Sequence, residues 1–113
     1  MATYTELREV YIKGMTGLAA LKGVLSRELL VAQSNAWFEV RELADRAHYN
    51  EWAAANPEAV MALEASVAEH EAAFENYTDD QWAEDAFYDD YYSQYPSPRD
   101  FGYKEADWPS FSI

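Results

Sequence analysis

Helix breakers are scarce in this sequence, and that scarcity is the strongest constraint on its fold. The 113 residues include only four glycines and four prolines, and alanine, the best helix former, is abundant. Asn56-Pro57 is the clearest break, because Asn caps helices and Pro fits the first helical position. Pro96-Ser97-Pro98 is the next. Between the breaks, apolar residues recur at intervals of three and four. The sequence therefore predicts an all-α fold, a compact bundle of about four helices with an aromatic-rich C-terminal tail packed back on it.

Two helical segments are predicted before the Asn56-Pro57 break. Thr3 and Glu6 form a capping-box pattern that opens a short helix ending near Lys13. Gly14 and Gly17 indicate its end and a turn.

The second segment is predicted to begin at Leu18, with Gly23 weakening it slightly. Its first apolar stripe has helical spacing and consists of Leu18, Leu21, Leu25, Leu29 and Ala32. At Ser34-Asn35 two alternatives stay open, a break in the helix or a bend that carries it on. The helical spacing then continues through Trp37, Val40, Ala44, Ala47 and Glu51.

A third and a fourth helix are predicted between Pro57 and Tyr95. The third presents one face made of Val60, Leu63, Val67, His70, Phe74 and Tyr77. Thr78 and Gln81 form a second capping box that opens the fourth. The tail that follows carries Phe101, Tyr103, Trp108 and Phe111. A chain of this length predicts a single domain, residues 1–113, with a near-neutral helical part (1–50), acidic helices (51–95) and the tail (96–113).

The charge of the chain is confined to its C-terminal half. Residues 1–50 hold six acidic and six basic residues, whereas residues 51–113 hold 15 acidic residues against Arg99 and Lys104, so the net charge of −13 belongs to the second half. Such asymmetry indicates an interaction surface. Its sign argues against direct binding to nucleic acid or to anionic lipid, both of which need a basic face.

The acidic residues of the predicted fourth helix come in pairs that repeat every five residues: Asp79-Asp80, Glu84-Asp85 and Asp89-Asp90. Six charges lie along about 18 Å of helix, or about 3 Å per charge, and one strand of duplex DNA carries a charge every 3.4 Å or so. The pairs spiral around the helix, so an acidic surface needs acids from the preceding helix as well. The sequence offers Glu64, Glu71 and Glu75 on one face of that helix.

Acidic residues four apart on a helix repel one another, so other side chains must hold this helix in place. Four tyrosines have the spacing of a packing stripe: Tyr88, Tyr91, Tyr92 and Tyr95. The predicted partner-binding residues are these four tyrosines and the nine acidic residues named above. The ordinary alternative is that the tyrosines are semi-buried packing residues and the acids a solvated face.

Signatures of catalysis and of cofactor binding are missing from the sequence. There is no cysteine, which excludes disulfides, thiolate metal sites and cysteine catalysis. Asp45-x-x-His48 matches half of a di-metal carboxylate motif, but the corresponding position before His70 is Val67. No calcium loop, phosphate loop or nucleophile elbow occurs. We therefore expect no enzymatic activity, no metal and no cofactor.

Targeting signals are not recognisable either. Residues 1–13 have no apolar core of the signal-peptide type. The most apolar stretch, residues 18–32, is interrupted by Lys22, Arg27 and Glu28 and is too charged to span a bilayer. We expect a cytoplasmic protein that does not bind membranes.

In composition, residues 51–107 resemble the small acidic phage proteins that imitate DNA, which include anti-restriction and anti-CRISPR proteins. The acid pairs at 79–80, 84–85 and 89–90 and the tyrosines of 88–95 carry the resemblance. It implies a partner that is a basic nucleic-acid-binding protein or complex of host defence, which the protein would bind and inhibit in the host cytoplasm.

Two rival interpretations stay open. The first is an acidic chaperone or adaptor that shields a basic partner protein without imitating nucleic acid. The second is a structural homodimer whose acidic face only keeps it soluble. Residues 1–50 differ from the evenly acidic DNA mimics in being near neutral, which favours a role for the N-terminal helices as the core or as a self-association surface.

Overall fold

The computed structural model describes residues 2–75, Thr78 and residues 85–113, the last range with side chains from residue 89 on. Within these residues the regular structure is helical: α1 (Tyr4–Ala19), α2 (Arg27–Ala55), α3 (Pro57–Phe74), α4 (Asp85–Ser93) and a 3₁₀ helix (Pro98–Phe101). The described ranges contain no strand, only an isolated bridge between Lys22 and Leu25. The predicted all-α fold class is confirmed.

The residues group into two compact units, Met1–Trp52 with Glu105–Ile113, and Ala53–Lys104. We call them the first and the second unit and describe each by itself. The prediction of one domain stays a prediction. In the described part of the chain, no helix is both long and apolar enough to cross a membrane.

Helix α1 begins as predicted but ends later. The Thr3 hydroxyl accepts a hydrogen bond from the Glu6 backbone N–H at 3.2 Å, and the Glu6 carboxylate accepts one from the Thr3 N–H, so the capping box is confirmed. The predicted end just before Gly14 is wrong, because Gly14 and Gly17 both lie inside the helix. At Gly14 the ring of Trp37 approaches so closely that a Cβ would lie 2.4 Å from it. This glycine makes room for a neighbouring ring and does not end the helix.

The second helix begins at Arg27, so the predicted start at Leu18 is wrong. Leu18 is buried in the last turn of α1. Gly23 lies in the connection between the helices with φ +91°, a left-handed conformation that glycine adopts at little cost. Such a residue interrupts a right-handed helix, whereas the sequence predicted only a slight weakening.

Helix α2 is continuous for 29 residues. Of the two alternatives at Ser34-Asn35, the break is wrong, because the helix carries on through both residues. The buried Ser34 hydroxyl donates to the Val31 carbonyl at 2.9 Å, the backbone contact that helical serines commonly make. The helix ends at the predicted break, since Asn56 is the N-cap of α3 and Pro57 its first residue.

The core of the first unit lies between α1 and α2. Tyr11, Met15 and Leu18 of α1 are buried with Leu30 of α2. Around them lie partly buried apolar residues: Ile12, Leu25, Trp37, Val40, Trp108, Phe111 and Ile113. The last three come from the C-terminal segment, so residues of the tail contact this core.

Trp108 of that segment makes several contacts within the first unit. Its indole N–H donates to the Asp45 carboxylate at 2.9 Å. Its ring meets the Tyr11 ring edge-on, with 5.1 Å between the ring centres. The guanidinium groups of Arg8 and Arg41 lie 4.9 and 5.4 Å from the centre of the same ring, within cation–π distance. Asp45 is therefore the hydrogen-bond acceptor for a packed tryptophan.

In the second unit, α3 turns its predicted apolar face inward. Leu63 and Phe74 are buried, and Val60, Val67 and His70 are partly buried. The sixth residue predicted for this face, Tyr77, lies outside the described residues. The 3₁₀ helix packs against α3.

The fourth helix, predicted to run to about Tyr95, ends slightly earlier at Ser93. The Gln94 N–H still donates to the Asp90 carbonyl at 3.1 Å, as in a final helical turn. Of the capping box predicted at its start, Gln81 lies outside the described residues.

Candidate acidic interaction site

The second unit carries most of the charge of the chain. Its 52 residues, 53–104, hold 12 acidic residues against Arg99 and Lys104, a net charge of −10. The rest of the chain, with nine acidic and six basic residues, has a net charge of −3. The predicted site residues all belong to the second unit.

An aromatic cluster joins α4 to the last two turns of α3. The Tyr91 ring lies 5.3 Å from the Phe74 ring, nearly perpendicular to it. The His70 ring is 4.9 Å from the Tyr91 ring and 5.3 Å from the Tyr95 ring. Edge-on and tilted pairs at these distances add to the free energy gained by burying the rings. Tyr91 and Tyr95 therefore supply packing for the acidic helix.

His70 adds a polar contact to this cluster. Its Nε2 lies 2.8 Å from the Tyr91 carbonyl oxygen, and because a carbonyl only accepts, the hydrogen bond requires the imidazole to carry its proton on Nε2. His70 thereby fixes the backbone of α4 relative to α3, in line with its place on the face predicted for the third helix.

Tyr91 also holds one of the predicted acidic residues in place. Its hydroxyl donates to the Glu71 carboxylate, with 2.5 Å between the two oxygens. This hydrogen bond, with smaller contributions from desolvation and from Glu71, Tyr95 and Tyr92, raises the pKa of Tyr91 to about 12. The phenol consequently stays protonated through the physiological range, and the Glu71 carboxylate keeps a fixed donor.

Beside this hydrogen bond lies an open groove of about 760 Å³ between α3 and α4. It is lined by Ala68, Glu71, Ala72, Phe74, Glu75, Tyr91 and Tyr92. We call these residues the α3–α4 groove. Two carboxylates stand next to aromatic rings there, and Tyr92 is 58% exposed. Carboxylates bind guanidinium and ammonium groups through charge-assisted hydrogen bonds, and tyrosine rings attract the same cations. The groove is suited to a lysine or arginine side chain.

Four of the predicted site residues meet in the α3–α4 groove: Glu71, Glu75, Tyr91 and Tyr92. Three others, Glu64, Asp89 and Asp90, are exposed on their helices and are not among the residues lining the groove. Tyr95 is 40% exposed and contacts His70. The backbone of Asp85 and Tyr88 is helical. The predictions for Asp79, Asp80 and Glu84 fall outside the described residues.

Sequence reasoning did not assign three groove residues to the site, although one of them, Phe74, was predicted for the apolar face of the third helix. Ala68 and Ala72, four residues apart on α3, leave the space, and Phe74 forms part of the wall. The spacing of the two alanines could have indicated this surface. Alanines at i and i+4, interleaved with Glu71 and Glu75, give a helix face with small and acidic side chains.

The histidines and carboxylates of the described ranges form no group of three or more that could hold a metal ion. His48, half of the incomplete di-metal motif, packs against the Tyr4 ring at 4.6 Å between ring centres. Its partner in the motif, Asp45, accepts the hydrogen bond from Trp108.

Comparison with known proteins adds no evidence on this site. No protein-family model matches the chain, and searches of curated proteins and of solved structures gave no significant match.

Proposed function

We propose that this protein is an acidic mimic of nucleic acid that binds a basic nucleic-acid-binding protein or complex and inhibits it, as anti-restriction and anti-CRISPR proteins do with host defence enzymes. The observation that carries the proposal is the α3–α4 groove, in which the Glu71 carboxylate held by Tyr91 lies in the same groove as the exposed ring of Tyr92. It belongs to a unit whose net charge is −10.

The hydrogen bond that holds the Glu71 carboxylate supports the proposal, because it lowers the entropy cost of binding a cation. A glutamate that is already held by a tyrosine hydroxyl loses less conformational freedom when a cation binds it than a free glutamate does. Glu71 meets this condition, because Tyr91 donates to it and is itself packed against Phe74 and His70. A surface of this kind competes for the lysines and arginines that otherwise contact phosphates.

The negative charge of the second unit also supports the proposal, because it raises the rate at which a basic partner associates. Asp89 and Asp90 on α4 and Glu64 on α3 are exposed, and their negative potential steers a basic partner toward this surface. Exposed tyrosines such as Tyr92 supply the aromatic contacts that often dominate binding free energy at interfaces.

The test is capture from a host bacterial lysate followed by elution with short duplex DNA, compared with buffer of the same ionic strength. A partner that a DNA mimic occupies leaves when DNA is added, because both ligands need the same basic site. A partner that stays bound when DNA is added, yet leaves in high salt, would contradict the proposal and favour an acidic adaptor.

A pair of matched variants ties that result to the groove. Glu71→Gln with Glu75→Gln removes the two groove carboxylates at nearly constant size, and we expect it to lose the DNA-elutable partner. Glu9→Gln with Glu39→Gln makes the same change in charge at exposed positions of α1 and α2 and should retain it. Equal loss in both variants would mean that only net charge matters.

A further inference from the structure

Helix α2 has an apolar face that points away from the core of its unit. Leu29 and Leu43 are 51% and 50% exposed, and Ala32 and Ala36 between them are exposed as well. We call these four residues the α2 face. Their neighbours Leu30 and Ala44, about 100° further around the helix, are buried. Helical spacing therefore separates a second apolar stripe from the one that faces α1.

The charged residues beside the α2 face are arranged for pairing with an identical helix in the opposite direction. Glu28 and Arg46 are 18 residues apart, about five full turns, so they lie on the same side of the helix. Both are exposed. In an antiparallel pair of helices, residues on the same flank face each other across the interface. A two-fold axis near residue 36 then sets Leu29 opposite Leu43 of the other copy, and Glu28 near its Arg46.

A parallel pair fits these charges less well. In such a pair each flank faces the opposite flank of the other copy, so Glu28 and Arg46 could not meet. Arg46 would approach Glu51, whose carboxylate already accepts a hydrogen bond from the Tyr4 N–H at 3.1 Å. A parallel pair also aligns the two helix dipoles, whereas an antiparallel pair opposes them.

We propose that a second copy of this chain docks on the α2 face, with the two α2 helices antiparallel in a two-fold dimer. The complementary charges of Glu28 and Arg46 are the reason for proposing a second copy on this face. The first 50 residues carry no net charge, so two copies of this segment do not repel each other. The exposed charged residues on this flank include Glu28, Glu39 and Arg46, so the anionic surface of a membrane or of nucleic acid finds no basic patch there. The inference does not depend on the proposed function.

Sedimentation velocity over a wide range of protein concentrations measures the dimer directly. We expect a reversible monomer–dimer equilibrium in the unmodified chain, and a rise of the dimer dissociation constant by about a hundredfold in Leu43→Glu, because a two-fold interface carries the change twice. Met61→Glu makes the same kind of change at a position that is 68% exposed on α3 and should leave the constant unchanged. A chain that is monomeric at every concentration, or a dimer that Leu43→Glu does not weaken, would overturn the proposal.

Cysteine crosslinking tests the direction of the helices. The chain has no cysteine of its own, so single substitutions report single positions. Under mild oxidation we expect Ala36→Cys to crosslink to itself, because it lies near the two-fold axis. Leu29→Cys should not, but it should crosslink to Leu43→Cys in a mixture of the two variants. Efficient crosslinking of Leu29→Cys to itself would show a parallel pair and overturn the proposed arrangement.

Exchanging the charges of Glu28 and Arg46 tests the same arrangement if the leucine variants fail to fold. Arg46→Glu places two acidic residues opposite each other in the antiparallel dimer and should weaken it by about tenfold. Adding Glu28→Arg to the same chain restores opposite charges and should recover most of the affinity. If the double variant is no tighter than Arg46→Glu alone, the two residues do not face each other and the arrangement is wrong.

Discussion

The hydroxyl of Tyr91 gives the acidic site a titratable marker. Its hydrogen bond to Glu71 raises the pKa of Tyr91 to about 12, whereas an unfolded tyrosine titrates near 10. A raised pKa in the folded state means that this contact contributes its full stability below about pH 10 and loses it as the pH rises through about 12. Between those values the folded protein becomes progressively less stable.

Tyrosinate absorbance followed against pH should therefore include a component from Tyr91 that titrates near pH 12. We expect Tyr91→Phe to remove this component, while Tyr92→Phe, a change in the neighbouring ring, leaves it in place. Loss of the component near 12 in Tyr92→Phe instead would assign it to the wrong ring and contradict the contact with Glu71.

Two glycines of α1 should respond in opposite ways to alanine. At Gly14 a Cβ would lie 2.4 Å from the Trp37 ring, so Gly14→Ala forces the helices apart and should destabilise the protein by about 1–3 kcal/mol. At Gly17 a Cβ meets no atom within 4 Å, and Gly17→Ala should stabilise it by about 0.5–1 kcal/mol through helix propensity. Urea denaturation measures both, and equal effects would refute the close contact with Trp37.

These glycines also show why parts of the fold could not be predicted from sequence. The capping box at Thr3 and the break at Asn56-Pro57 are local, since neighbouring residues decide them, and both were predicted correctly. The role of Gly14 depends on a tryptophan 23 positions away, and nothing in its neighbours distinguishes a packing glycine from a terminating one. Gly23, a true helix breaker, resembles Gly14 in sequence because both follow a lysine.

The candidate site, like the fold, could be predicted from the sequence only in part. Charge and spacing identified Glu71, Glu75, Tyr91 and Tyr92, because helical periodicity places them on definite faces. The groove itself depends on how α4 packs against α3, which the His70 contact with the Tyr91 backbone helps to fix. A contact between residues 21 positions apart on different helices leaves no periodic trace.

Helix α4 is the element on which charge and stability conflict. Asp85 and Asp89 are four residues apart in α4, and such like-charged pairs cost a few tenths of a kcal/mol. The variant Asp89→Lys with Asp90→Lys reverses that repulsion and places positive charge toward the C-terminal end of the helix, where the dipole favours it. We expect unchanged or slightly higher stability in thermal unfolding, together with loss of partner binding.

The same number of charge reversals outside the acidic unit serves as the control. Glu9→Lys with Glu39→Lys changes exposed residues of α1 and α2 and should keep the partner bound. If Asp89→Lys with Asp90→Lys also keeps it, the exposed acids of α4 form a solvated face, and binding lies elsewhere on the molecule.

For the molecule as a whole, the charge layout predicts that the protein does not bind nucleic acid itself. The second unit carries −10, and the basic residues of the first 50 are balanced one for one by acidic residues. Binding to phosphates requires a basic patch that releases counterions. A gel-shift assay with duplex DNA and with RNA at moderate salt should show no complex, and a shifted band would contradict mimicry directly.

The whole molecule should also bind its partner in a strongly salt-dependent way. Exposed charges interact over about 8 Å at physiological ionic strength and over shorter distances as salt is added. The acidic residues of the second unit whose side chains are described, among them Glu64, Asp89 and Asp90, are exposed, so most of their contribution should be lost at high salt, chiefly through slower association. Biosensor measurements at several salt concentrations separate the association rate from the dissociation rate. A fall in the association rate with little change in dissociation fits electrostatic steering toward an acidic surface. An affinity that stays constant from low to high salt would indicate an apolar interface and contradict binding through the acidic residues.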